Sequence, residues 1–111
     1  MPVATLIGPA NSSATFGFAN AARKSGRIRL FGEPTGGNRR GINGGGFFFT
    51  KLPGSAIEFD LPLIGYFPDK PQPDAGIAPD VSIPTTAAAI AAGADPALEA
   101  AAVWALDTRE N

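Results

Sequence analysis

The stretch "VATLIGPANSSATFGFANAARKSGRIRLFGE", Val3 to Glu33, decides the fold. Val3 to Gly8 is a short β-branched apolar run closed by Gly8-Pro9, the pattern of a buried parallel strand with neighbours on both sides. Asn11, Ser12 and Ser13 all have side chains that cap helix N-termini. Phe16, Phe18, Ala19 and Ala22 then form the apolar face of a helix. Arg23 and Lys24 fall at its C-terminal end, where the helix dipole favours cations, and Gly26 closes it. Arg27 to Glu33 alternates basic and apolar residues, which predicts a strand with one wet face. Strand, helix and strand at this spacing make one βαβ unit.

Downstream, Pro34 to Gly46 is rich in glycine and asparagine and predicts a loop. Phe47 to Thr50 reads as an apolar strand, followed by a turn at Leu52–Ser55. Ile57, Phe59 and Leu61 alternate with Glu58 and Asp60, which predicts a half-buried strand completing a hairpin. Gly65 to Asp80 is proline-rich and reads as a surface loop. Val81 to Pro84 suits one last short strand. Thr85 or Thr86 can cap a short helix over the following alanines. Asp95-Pro96 caps a second helix, with Pro at its first position, running through Leu98, Val103, Trp104 and Leu106. The expected fold class is α/β: a parallel βαβ start, a β-hairpin and C-terminal helices.

At 111 residues the chain suits one small domain, residues 1–111. Hydrophobic residues make up 44% and charged residues 17%, a globular rather than a disordered balance. The formal net charge of −1 provides no basic field for nucleic acid. Arg23–Lys24 and Arg39–Arg40 are clusters too short to signal more than a solvated surface. No apolar run is long enough for a membrane span, and no signal peptide is visible, so the compartment is unknown from this chain. The chain has no cysteine and no histidine, which removes thiolate chemistry, disulfides and imidazole bases.

A serine between a buried strand and a helix has two readings. It can cap the helix through its hydroxyl, or it can attack a carbonyl whose oxyanion meets the free N–H groups of the first turn. Adjacent serines allow one of each, but a nucleophile also needs a base, and nothing within the motif supplies one. "GEPTGGN", Gly32 to Asn38, lacks the Gly-Lys-Ser/Thr ending of a phosphate loop. Its glycines suit close approach of backbone to a neighbouring strand or to a bound peptide. Glu58, Asp60, Asp69 and Asp74 have no metal-ligand spacing, so neither a metal nor another cofactor is expected.

Taken in order, these segments resemble the tail-specific, or C-terminal processing, serine peptidase family. Val3 to Asn38 is similar to its active-site stretch: a strand, a Thr/Asn-x-Ser-Ala segment opening a helix, a small residue–Gly–Arg turn and a Gly-Glu-Pro-Thr-x-Gly-Lys loop, which here reads "GEPTGGN". "GIAPDVSI", Gly76 to Ile83, resembles its Gly-x-x-Pro-Asp signature, and "DPALEAA" a downstream helix. "RGINGGGFFFTKLPGSAIEFDLPLIGYFP", Arg40 to Pro68, is similar to a branch whose loop reads Thr-Gly-Gly-Asn. The resemblance covers nearly the whole chain and implies the C-terminal half of a crotonase/ClpP-like β-α superhelical core, with no PDZ domain. Family members are often periplasmic or exported.

The resemblance implies Ser13 as nucleophile, the Ala14 amide as one oxyanion donor and a peptide or protein substrate near Gly36 and Gly37. In the branch with a Ser/Lys dyad, the lysine falls where this chain has Asn38, which cannot take a proton at neutral pH. Three explanations stay open. A base lies upstream, as in the tricorn-like branch; the branch is a silent binding or structural module; or another residue serves. Lys24 and Lys51 match no motif position, and Asp74 lies near that branch's orienting acid. The exposed edge of the first strand would be a liability, and pairing with a second copy is one response to it.

Overall fold

Leu30 and Phe31 are neighbours in one strand and both are buried, at 0% and 2% exposure. Successive strand residues face opposite ways, so this strand is covered on both sides. In the computed structural model, which describes residues 1–108, it is the middle strand of a parallel sheet. That sheet contains β1 (Val3–Ile7), β2 (Ile28–Gly32) and β5 (Val81–Ser82), in the order β1-β2-β5. Val3 pairs with Ile28 and Ile7 with Gly32, while Phe31 pairs with Val81. The remaining elements are α1 (Ala14–Ser25), the antiparallel pair β3 (Ile42–Lys51) and β4 (Glu58–Tyr66), α2 (Ala87–Ala92) and α3 (Pro96–Asp107). The fold class is mixed α/β.

The chain divides into two compact units, residues 1–37 with 76–111, and residues 38–75. In the first unit, Phe16, Ala19 and Ala22 form the buried stripe of α1, at the spacing of one helix face. Phe18 falls off that stripe and is 52% exposed, unlike its expected place on the apolar face. Gly26 ends α1 in the left-handed conformation at φ 65°, where a Cβ would be strained. Phe31 meets Trp104 of α3 with ring centroids 5.7 Å apart, so α3 covers that face of β2. Leu30 points to the other face, where α1 packs against the strand.

Two sequence expectations change here. Arg27 to Glu33 does not keep one wet face: only its Arg29 end is open, and Leu30, Phe31 and Gly32 are buried. Among the described residues β1 is not flanked on both sides; it is the sheet edge, and only Ile7 is buried in it. The caps of the later helices form as expected. Thr86 accepts from the Ala89 N–H at 3.1 Å, and Asp95 accepts from the Leu98 N–H at 3.0 Å with Pro96 next to it.

In the second unit the hairpin is longer than its apolar core suggests. β3 starts at Ile42 rather than Phe47, and the ladder carries an irregularity between Gly44 and Phe47. Glycine lets the strand absorb one extra residue there, with Gly45 at φ 77°. The turn spans 52–57, closed by the Leu52 N–H donating to the Ile57 carbonyl at 2.9 Å. The expected half-burial of β4 is not seen among the described residues: Phe59 is 44% and Leu61 51% exposed.

Candidate functional site

The strand-to-helix turn after β1 is built by Asn11. Its Oδ1 accepts from the Gly8 N–H at 2.8 Å, while its own N–H donates to the Gly8 carbonyl at 2.9 Å. Asn11 therefore ties the turn back to β1 and does not cap α1. Ser12 contributes its carbonyl, which accepts from the Thr15 N–H at 3.1 Å. Ser13 occupies the cap position, yet its side chain makes no capping hydrogen bond. Its backbone lies at φ 53°, ψ −120°, a region that L-residues avoid at a cost on the order of 1–3 kcal/mol. Ser13 is exposed. The capping reading of the serines thus gives way to a strained, open serine at a helix N-terminus. The next amide, the Ala14 N–H, has no partner among the described residues.

The glycine loop runs beside this turn. A Cβ on Gly36 would lie 2.4 Å from the Pro9 carbonyl oxygen, so only glycine permits the approach. A Cβ on Gly37 would lie 3.1 Å from the ring of Phe16, the first buried residue of α1. Thr35 pins the loop from the other side. It is 5% exposed, its Oγ1 accepts from the Ile77 N–H at 2.8 Å, and its own N–H donates to the Ile77 carbonyl at 3.0 Å. Asp80 makes a similar clasp on β2. Its Oδ2 accepts from the Leu30 N–H and its N–H donates to the Leu30 carbonyl, each at 2.8 Å. Glu33 accepts from the Thr85 N–H at 3.2 Å. Sequence reasoning missed these roles of Thr35, Asp80 and Glu33. The available signal was short polar residues beside Pro and Gly, which bond backbone in place of secondary structure.

Asn38 opens the second unit. Its side-chain amide donates to Asp74, and its Oδ1 accepts from the Arg40 N–H at 2.8 Å. Arg40 also pairs with the other oxygen of Asp74 at 3.0 Å, and Arg39 donates to Gln72 at 2.8 Å. Lys51 is engaged with Glu58 across the hairpin at 3.0 Å. Ser13, Ala14, Gly36 and Gly37 thus belong to the first unit, and Asn38, Asp74 and Lys51 to the second.

Among the described residues no group of three acidic side chains gathers to hold a metal ion, and no helix is long and apolar enough to cross a membrane. Fold and site together define a mixed α/β chain with a strand–turn–serine–helix element beside a glycine loop. No protein-family model and no curated protein sequence matches it.

Proposed function

We propose that the chain is the C-terminal part of a serine peptidase catalytic domain of the tail-specific type, with a crotonase/ClpP-like core and Ser13 as nucleophile. The observation that carries this reading is Ser13 itself: an exposed hydroxyl, free of capping duty, on a strained turn at the N-terminus of α1. Strand-to-helix turns of this kind present a nucleophile outward and place backbone donors beside it. The Ser13 Oγ would bond the carbonyl carbon of a peptide, and the oxyanion would meet the unpartnered Ala14 N–H and the positive end of the helix dipole. The Oγ–H proton would pass to a base that the motif does not itself supply and on to the amine as the C–N bond breaks, and water would then hydrolyse the acyl ester to the free acid and restore the serine. The Gly36–Gly37 loop would hold the substrate backbone.

A second reading is a peptide-binding or structural module on the same fold. It is favoured by Asn38, which holds no base and whose amide is already committed to Asp74. Labelling the folded chain with a fluorophosphonate probe, with Ser13→Ala as control, separates the two. Modification at Ser13 supports the peptidase reading. Its absence leaves either the binding module or a peptidase whose base lies outside these 111 residues, because an unactivated serine does not react.

A further inference from the structure

Away from Ser13, at the opposite end of the parallel sheet, three arginines share one cavity. β2 begins there, beside the end of α1. The cavity measures about 370 Å³ and is lined by Arg23, Arg27, Arg29, Asp80 and Trp104, with the backbone turn at Gly26. All of these residues belong to the first unit. The size falls in the usual range for small-ligand sites.

None of the three guanidiniums has an ion pair among the described residues. The ion pairs among the described residues are Arg40–Asp74 and Lys51–Glu58, both in the other unit. Asp80, the one carboxylate in the lining, spends its Oδ2 on the Leu30 N–H. Two of the arginines are held in place by groups that leave their charge intact. Arg23 donates to the Ala78 carbonyl. Arg29 lies over the ring of Trp104 at 5.5 Å and over Phe31 at 5.9 Å. The Arg27 side chain has no hydrogen-bond or ion-pair partner among the described residues. Three arginines against one aspartate leave a formal excess of two positive charges around the cavity.

We propose that this cavity binds a phosphate monoester dianion carried on a small organic group. Arginine forks match phosphate oxygens bidentately, and pre-oriented guanidiniums lose little freedom on binding. A dianion matches the excess charge. The cavity also exceeds the needs of a bare phosphate, and Ile28 and Trp104 supply the apolar part of its lining.

Trp104 is the sole tryptophan of the chain, so its fluorescence reports on this site alone. The test is titration of the full chain with phenyl phosphate at constant ionic strength, with phenol and sodium chloride run in parallel. The expected result is a saturable change with phenyl phosphate and none with the two controls. In Arg27→Ala, at an exposed position, the apparent affinity should fall about tenfold or more, the loss of roughly one charge-assisted contact. No saturable change up to about 10 mM phenyl phosphate would overturn the proposal, since that limit marks binding weaker than about 3 kcal/mol. An identical curve in Arg27→Ala, or an equal response to phenol or to salt, would also overturn it.

Discussion

The side-chain amide of Asn38 and the guanidinium of Arg40 share the carboxylate of Asp74, one on each oxygen. Asn38 also accepts from the Arg40 N–H, so the three residues close one small network. Arg40 and Asp74 are 64% and 65% exposed in their side chains, which limits what the ion pair contributes to stability. Asp74→Ala is therefore expected to change global unfolding by less than about 1 kcal/mol. It should speed amide exchange at Arg40, because the asparagine that holds that N–H loses its anchor. Unchanged exchange at Arg40 would mean the backbone turn alone fixes Asn38.

Ser13 separates strain from capping. A capping serine replaced by alanine costs about 1 kcal/mol. Ser13 makes no such bond, so Ser13→Ala should unfold within about 0.5 kcal/mol of the parent. Ser13→Gly should be at least as stable as the parent, since glycine relieves on the order of 1–3 kcal/mol of backbone strain at φ 53° and gives part of it back as unfolded-chain entropy. Urea denaturation of the three proteins checks the order. Alanine clearly below the parent would restore the capping role.

Thr35 presents a buried acceptor to a backbone donor. Thr35→Val keeps the shape and removes the acceptor, leaving the Ile77 N–H unpaired at a cost of about 1–3 kcal/mol. Thr35→Ser keeps the hydroxyl and loses one methyl group, worth about 0.8 kcal/mol. Valine is thus expected to be the more damaging change despite its closer volume, and thermal melts of both variants would show it.

β1 lies at the edge of its sheet with Val3 41% and Leu6 39% exposed. An uncovered apolar edge is a template for pairing with another chain. Sedimentation of the parent is expected to show concentration-dependent association. Val3→Lys, at the first residue of the strand, should reduce it. Association unaffected by that charge would locate the contact elsewhere, the exposed aromatics of the hairpin being the next surface to examine.

The elements most legible in the sequence were those with a local cause. Asp95-Pro96 and Thr86 cap helices through bonds three residues long, and Gly26 ends α1 by its own backbone freedom. The hydrophobic period of α1 placed Phe16, Ala19 and Ala22, and the βαβ pairing followed from it. Burial was less legible, because it depends on partners distant in sequence. Arg29 looks like one member of a wet face, yet the residues after it are enclosed by α1 and α3. Val3 to Ile7 reads as an interior strand and lies at an edge. At the candidate site, the serine's position was readable but its φ was not. The competition among Asn11, Ser12 and Ser13 for the cap is decided by the turn at Gly8, to which Asn11 is already bound.

Gly76 and Gly17 offer opposite outcomes from the same substitution. A Cβ on Gly76 would lie 1.9 Å from the Thr35 carbonyl oxygen and 2.9 Å from its carbonyl carbon, both backbone atoms that cannot rotate away. Gly76→Ala must therefore push apart the segment that Thr35 clasps, straining the pair of hydrogen bonds between Thr35 and Ile77. A loss of about 2–4 kcal/mol is expected, at the upper end for single substitutions. Gly17 sits inside α1 with nothing within 4 Å of its would-be Cβ. There alanine restores helix propensity and should stabilise the protein by about 0.5–1 kcal/mol. Equilibrium unfolding of both variants makes the comparison, since both residues lie in the same unit. If Gly76→Ala were tolerated as well as Gly17→Ala, the Thr35–Ile77 clasp would not be the contact that holds the glycine loop beside Ser13's turn.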